Sequence, residues 1–318
     1  MCAKLLDGGF SAELLKDGLD FEGTDLWTAD VLLKHPEAIV RVYERFLNAG
    51  VDFLETSSYQ AGIELLQHSD LIEDRDHAIR VLQSSVLIAR ACVERFKASN
   101  KNSENKEIKV VGSIGPYAVN LQGALEFSGS YVDAVPEAIM VAYHFGQAKA
   151  LLEAGCDLLA FETVPAYKEA EAILKALDLL PESTKAWISF SCKDDHFLCH
   201  GESFLSGARL ISAHSKVAYV GVNCTSPEFI EPLLKSAQDP QVTKPFVVYP
   251  NTGGTYEDGT WSNCDGAYVC NEDLVKQWIK LGAEIIGGCC TVGAGDIEKL
   301  RLCIDRANDK TEKGSTDH

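Results

Sequence analysis

Apolar residues fall into eight short, mostly continuous runs along the chain: KLLDGG (4–9), VDFLETSSY (51–59), VVGSIGPY (110–117), CDLLAFET (156–163), AWISFSC (186–192), AYVGVNC (218–224), PFVVYPN (245–251) and AEIIGGCC (283–290). Continuous runs, unlike strict alternation of apolar and polar residues, suit parallel strands covered on both faces. Between them the period changes: residues 36–50, 76–96, 136–155, 166–180 and 271–282 carry helical spacing and helix-forming composition. Three of these stretches stop on a glycine (Gly50, Gly155, Gly282), a common helix C-terminal signal, and lead straight into the next run. Strand then helix, repeated eight times, predicts an α/β protein built as one (β/α)8 TIM barrel. The barrel is assigned to residues 1–307, with 97–109 a polar connector and 308–318 a disordered tail.

A barrel of this type presents its chemistry at the C-terminal ends of its strands. The residues there are Asp7, Gly8 and Gly9, Glu55 to Tyr59, Gly115 to Tyr117, Glu162 and Thr163, Asn223 and Cys224, Tyr249 to Asn251, and Cys289 and Cys290. Cys224 closes the sixth run and the cysteine pair closes the eighth, so in a closed barrel three sulfurs can converge on one mouth. Three protein ligands with an open fourth position is the arrangement of catalytic zinc, and thiolates favour it over harder cations. The glycines before Cys289 are expected to let the backbone approach substrate or metal closely. Other readings remain open: a strand cysteine is commonly a small buried hydrophobe, and Cys289–Cys290 can act as a vicinal redox pair. Cys192, His196, Cys199 and His200 form a second group of ligand-type residues, but without paired ligand spacing, so the segment reads as a loop or lid.

Composition narrows the classes. A net charge of −18 argues against nucleic acid or an anionic membrane as partner. The start of the chain reads as no signal peptide, and no apolar stretch is long enough to span a bilayer. Eleven cysteines without a secretory signal then point to reduced thiols and a cytoplasmic setting.

Taken together, DGGFSAELL, LWTADVLL, ETSSYQA, GSIGPYA, FETVPAYKEAEA, GVNC, VYPNTGG and GGCC resemble the homocysteine S-methyltransferase family, from about residue 4 to about 303. The resemblance implies methionine formation from two small-molecule substrates, homocysteine and a methyl donor. The donor is S-methylmethionine or S-adenosylmethionine, or more distantly betaine. It implies a zinc ion (Zn2+) on Cys224, Cys289 and Cys290 that receives the homocysteine sulfur. Asp7 and Glu162 would hold the ammonium group, and backbone N–H groups of Gly8, Gly9 and Phe10 the carboxylate. Trp27 and Tyr59 would face the donor, with Thr163, Asn223 and Asn251 as further polar support. Two departures stand out: Thr291-Val292-Gly293 where many members continue with Arg-Thr and a proline, and Asn251-Thr252-Gly253-Gly254 where many carry an acidic residue. The short C-terminal part leads us to expect a monomer or weak dimer. A non-catalytic zinc or thiol protein on the same barrel is the reading from another class.

Overall fold

A computed structural model describes residues 2–19, 26–100, 105–121, 123–253, 255–257, 260–262 and 271–314. Each apolar run matches one barrel strand, which lies inside the run to within a residue: β1 (Lys4–Leu5), β2 (Phe53–Glu55), β3 (Lys109–Ile114), β4 (Leu158–Val164), β5 (Ala186–Phe190), β6 (Val217–Asn223), β7 (Phe246–Tyr249) and, after a small hairpin, β10 (Ala283–Ile286). The hairpin, β8 (Thr255–Glu257) with β9 (Thr260–Ser262), was not anticipated. The eight barrel strands are ordered β1-β10-β7-β6-β5-β4-β3-β2, parallel throughout.

The ring closes between β1 and β2 through a parallel bridge of Leu6 to Phe53 and an Asp52 N–H to Leu5 carbonyl bond of 2.8 Å. A two-residue strand is a weak seam, and side chains reinforce it. The Asp52 carboxylate accepts the Leu5 N–H at 2.8 Å and the Arg301 guanidinium at 2.9 Å.

Helices α3 (Pro36–Asn48), α5 (Arg75–Ser99), α6 (Glu137–Glu153), α7 (Tyr167–Asp178) and α10 (Glu272–Lys280) fall on the five helical stretches read from the sequence. Further helices complete the shell: α1 (Phe10–Lys16), α2 (Thr28–Lys34), α4 (Ile63–Leu66), α8 (Phe204–Ser212) and α9 (Pro227–Ser236). Helix α11 (Ala294–Gly314) runs past residue 308, so the segment read as a disordered tail is helical to Gly314.

Two apolar layers result. The larger packs the helices on the outside of the strands, and a small inner cluster of Leu6, Phe53, Val111, Leu158, Ala160, Trp187, Val247, Tyr249 and Ile285 fills the barrel. Side chains in a strand alternate between faces. Stepping two residues from those inner positions toward the C-terminal end reaches Glu55, Ser113, Glu162 and Ser189, and beyond Ile285 it reaches Gly287 and Cys289. The interior therefore turns from apolar to polar at the mouth.

Candidate active site

Cys224, just past β6, and Cys289 and Cys290, just past β10, meet at this mouth, with their three sulfurs all within 4.8 Å of one another. Cys224 and Cys289 are joined as a disulfide with Cα atoms 5.5 Å apart, and the Cys290 sulfur lies 3.3 Å from that of Cys224. This corrects the vicinal reading: Cys289 pairs across the barrel, not with its neighbour. Thiolates around one zinc ion sit about 3.8 Å apart when each bond is about 2.3 Å. Once the disulfide is reduced, the trio offers three soft donors close enough together to be drawn onto one metal ion.

Backbone bonds fix the trio. Cys289 donates to the Pro250 carbonyl at 2.9 Å, Cys224 to the Tyr249 carbonyl at 3.3 Å, and Val292 to the Cys289 carbonyl at 3.1 Å. Three non-glycine residues at the strand ends adopt left-handed backbone: Thr163 (φ 56°), Cys224 (φ 46°) and Thr291 (φ 69°). Such conformations cost roughly 1–3 kcal/mol each and persist only where surrounding contacts enforce them. The Thr291 hydroxyl meets that of Thr252, so the two segments that depart from the family pattern touch each other.

The glycines before the cysteines serve a purpose different from the expected one. A Cβ on Gly287 would lie 2.6 Å from Leu6 Cβ and 2.8 Å from the Asp7 carbonyl, and one on Gly288 would collide with Val292. Their smallness admits the chain itself, not a ligand. Gly8 and Gly9 complete the fit, since Cβ atoms there would meet the carbonyls of Val292 at 2.5 Å and Cys289 at 2.6 Å.

Beside the sulfurs lies a group of carboxyls, Asp7 and Glu162 buried and Glu55 half-buried. Asp7 is 3 % exposed and Glu162 4 %. Asp7 Oδ2 accepts the Glu55 N–H at 2.8 Å, while Asp7 Oδ1 and Glu55 Oε1 are buried without a hydrogen-bond partner. Glu162 accepts from the hydroxyls of Ser113 and Tyr249 and shares a hydrogen bond with Glu55. Burial raises all three carboxyls: Glu162 is pushed up to about 7, and Asp7 and Glu55 lie well above the usual range, with the Glu162 charge adding to both. Glu55 was not among the residues singled out for a role, although the alternation Phe53, Glu55 was visible.

Asn223 ties the two groups together. Its Oδ1 accepts the Thr163 N–H at 2.8 Å, and its Nδ2 donates to Thr163 Oγ1 at 2.9 Å and approaches Cys289 Sγ at 3.8 Å. Tyr59 also hydrogen bonds Thr163, and burial with the nearby Glu126 carboxyl lifts its hydroxyl well above the normal tyrosine range. Trp27 is 41 % exposed, and the next residue, Thr28, is bound through its N–H (3.0 Å) and hydroxyl (2.6 Å) to Gln60 Oε1, which brings the Trp27 and Tyr59 segments together. Phe10 stacks obliquely on Tyr43. The Gly9 N–H is taken by the Val292 carbonyl at 2.8 Å, and Asn251 Oδ1 by the Gly253 N–H at 2.9 Å.

The other ligand-type group does not assemble. No three of Cys192, His196, Cys199 and His200 bring ligand atoms within 4.8 Å; His196 instead lies with Asp194 and Asp195. His200 bonds Glu202 at 2.9 Å, and Cys192 sits in a small antiparallel turn opposite Leu198.

The chain is 35 % identical to Homocysteine S-methyltransferase YbgG of Bacillus subtilis over 93 % of its own length and 92 % of that protein's. It is 33 % identical to a Betaine-homocysteine S-methyltransferase of Drosophila melanogaster over 95 % and 94 %. The solved Homocysteine Methyltransferase MmuM of Escherichia coli superposes with a TM-score of 0.82 and 31 % identity in its metallated form, covering 95 % of this chain and 96 % of that one. Its oxidized form gives the same score and identity over 94 % and 95 %. The family profile described as homocysteine S-methyltransferase spans residues 4–304, and the chain belongs to that family of methyltransferases.

Proposed function

We propose that the protein uses zinc to transfer a methyl group from a sulfonium donor, S-methylmethionine or S-adenosylmethionine, to the sulfur of L-homocysteine, giving methionine. The observation that carries this reading is the meeting of three sulfurs and a buried carboxyl group at one barrel mouth. A metal store needs no pocket for an amino acid. Zinc held by Cys224, Cys289 and Cys290 would supply the positive charge that keeps the acceptor thiol deprotonated near neutral pH.

The chain's own residues do the rest. Asp7 and Glu162 take the acceptor ammonium group, and the Gly8 and Phe10 amides its carboxylate, the Gly9 amide being engaged already. Trp27 and Tyr59 offer aromatic faces to the donor cation. Asn223 and Thr163 hold the Tyr59 hydroxyl and the Cys289 sulfur in one frame. The acceptor sulfur attacks the donor methyl carbon in line; a new S–C bond forms as the donor S–C bond breaks. The negative charge of the acceptor and the positive charge of the donor cancel, so a site that excludes water favours the step.

Betaine is the second reading for the donor. A relative carrying that name matches over 94 % of its length, so chain length does not separate the two. Among the described residues no helix is long and apolar enough to cross a membrane. We place the working enzyme, as a monomer or weak dimer, in the reducing cytoplasm, because the trio must be reduced to bind metal.

The test is zinc content of freshly reduced protein together with methionine formation from L-homocysteine and each of the three donors. One zinc per chain and turnover with a sulfonium donor are expected. Turnover with betaine alone would transfer the assignment, and reduced protein that binds no zinc would overturn the mechanism.

A further inference from the structure

We propose that Glu55 is a specificity residue: with Asp7 and Glu162 it forms a three-carboxyl seat for a primary ammonium group, so the site selects thiols that carry a free α-amine. The inference rests on the acceptor reading above and adds to it a residue and a rule of selection.

The geometry starts from strand register. Phe53 belongs to the inner cluster, and the two-residue step places Glu55 on the inner face at the end of β2. Its neighbours are Asp7, at the end of the adjoining β1, which accepts the Glu55 N–H at 2.8 Å, and Glu162 on β4, which shares a hydrogen bond with its carboxyl. Asp7 is 3 % exposed, and its Oδ1, like Glu55 Oε1, is buried and unpartnered. Among the described residues, no lysine, arginine or histidine forms an ion pair with any of the three. Buried acids without a counter-charge or a full set of donors are costly, and a ligand that brings both relieves the cost.

The ligand chemistry follows from the unused atoms. A primary ammonium offers three N–H donors. Asp7 Oδ1 and Glu55 Oε1 can take one each, and Glu162 the third. A small metal ion suits the group less well, because ligand oxygens from the three side chains do not all come within 4.8 Å. Such an ion needs bonds of about 2.0–2.6 Å, whereas hydrogen bonds of about 2.7–3.2 Å span a wider gap. One proton remains on the Glu55–Glu162 pair, since two facing carboxylates do not both ionise. The three acceptors fit one ammonium group, and an acylated amine, lacking the charge and two of the donors, is rejected.

The experiment compares wild type, Glu55→Gln and Glu55→Ala with two acceptors, L-homocysteine and γ-mercaptobutyrate, which is homocysteine without its amine. Calorimetric binding of L-methionine and γ-(methylthio)butyrate gives a reading that needs no turnover. Loss of a hydrogen bond to a charged group predicts KM for L-homocysteine and Kd for L-methionine raised about 10- to 100-fold. The des-amino compounds should change less than about threefold, with zinc content unchanged in both variants. Equal losses with and without the amine would mark Glu55 as structural support and overturn the proposal, as would no change with either. Wild-type protein that binds L-methionine but methylates neither thiol would refute the methyl-transfer reading alone, and wild-type protein that binds no L-methionine would refute the seat.

Discussion

Cys224 combines a left-handed backbone with a place in the sulfur trio, and the two are linked. The turn at φ 46° directs the chain out of β6 just where its side chain must face β10. Cys224→Ser or Cys289→Ser leaves two sulfurs, too few for a stable soft-metal site. Zinc in reduced protein should fall below about a tenth of an equivalent, with methyl transfer down at least about 100-fold. Full metal content in either variant would show that these are not ligands. Glu162 makes a second prediction. Burial raises its carboxyl from an ordinary value of 4.5 to about 7. Between those values the folded protein keeps a proton that the unfolded chain has lost, so stability is greatest at the acid end and declines as pH rises through about 7. Asp7 and Glu55, also raised, act in the same sense. In ligand-free reduced protein, Glu162→Gln should flatten the fall in thermal midpoint from roughly pH 5 to about pH 8; an unchanged slope would refute the assignment. The cysteines were legible in the sequence because two ended one strand and one ended another. The Asn223–Thr163 pair was not, because its members are 60 positions apart and only barrel closure brings them together.

At the scale of elements, strands were readable because each is a continuous apolar run, whereas their lengths were not. β1 keeps two residues of a six-residue run because DGG turns away to pack against Val292 and Cys289. Five helical stretches were found; α1 and α2, at 7 residues each, offer too few turns for the period to show. The hairpin had its own signal in Asp258-Gly259 between two short β-prone triplets, masked by the polarity of the surrounding segment. The close packing of β10 on the end of β1 gives a third prediction. Gly287→Ala places a methyl group 2.6 Å from Leu6 Cβ, in contact with backbone that cannot swing aside. Overpacking of this kind costs about 1–3 kcal/mol, and because Asp7 and Cys289 flank the contact, both KM for homocysteine and zinc affinity should worsen together. Chemical denaturation and metal competition measure the two; a stable variant with normal zinc affinity would contradict the account.

For the whole molecule, the disulfide and the proposed metal would compete for the same atoms. Mild oxidation of metal-free protein should remove two of the eleven thiols and link the peptides carrying Cys224 and Cys289, while zinc-loaded protein resists. Thiol titration with peptide mapping measures this, and a Cys289–Cys290 link would contradict it. Reduction followed by zinc should restore activity, separating a reversible state from damage. The barrel as a whole was legible from the repeat of runs and helical stretches, and its polar mouth was implicit in the two-residue alternation. What the linear pattern withheld was which polar ends touch, since that depends on stagger around a closed ring.

The ring is completed only when Leu5 pairs with Ile286, residues that leave the ribosome almost a full chain apart. Cys224 likewise waits for Cys289, 65 positions later. Until β10 emerges, the first strand has no partner on that side and the sulfurs stand separately. On the proposed reading, the metal ligands cannot come together until Cys289 and Cys290 have been made. If those sulfurs take a metal as proposed, the choice between a metal centre and the Cys224–Cys289 cross-link falls in the interval just after synthesis.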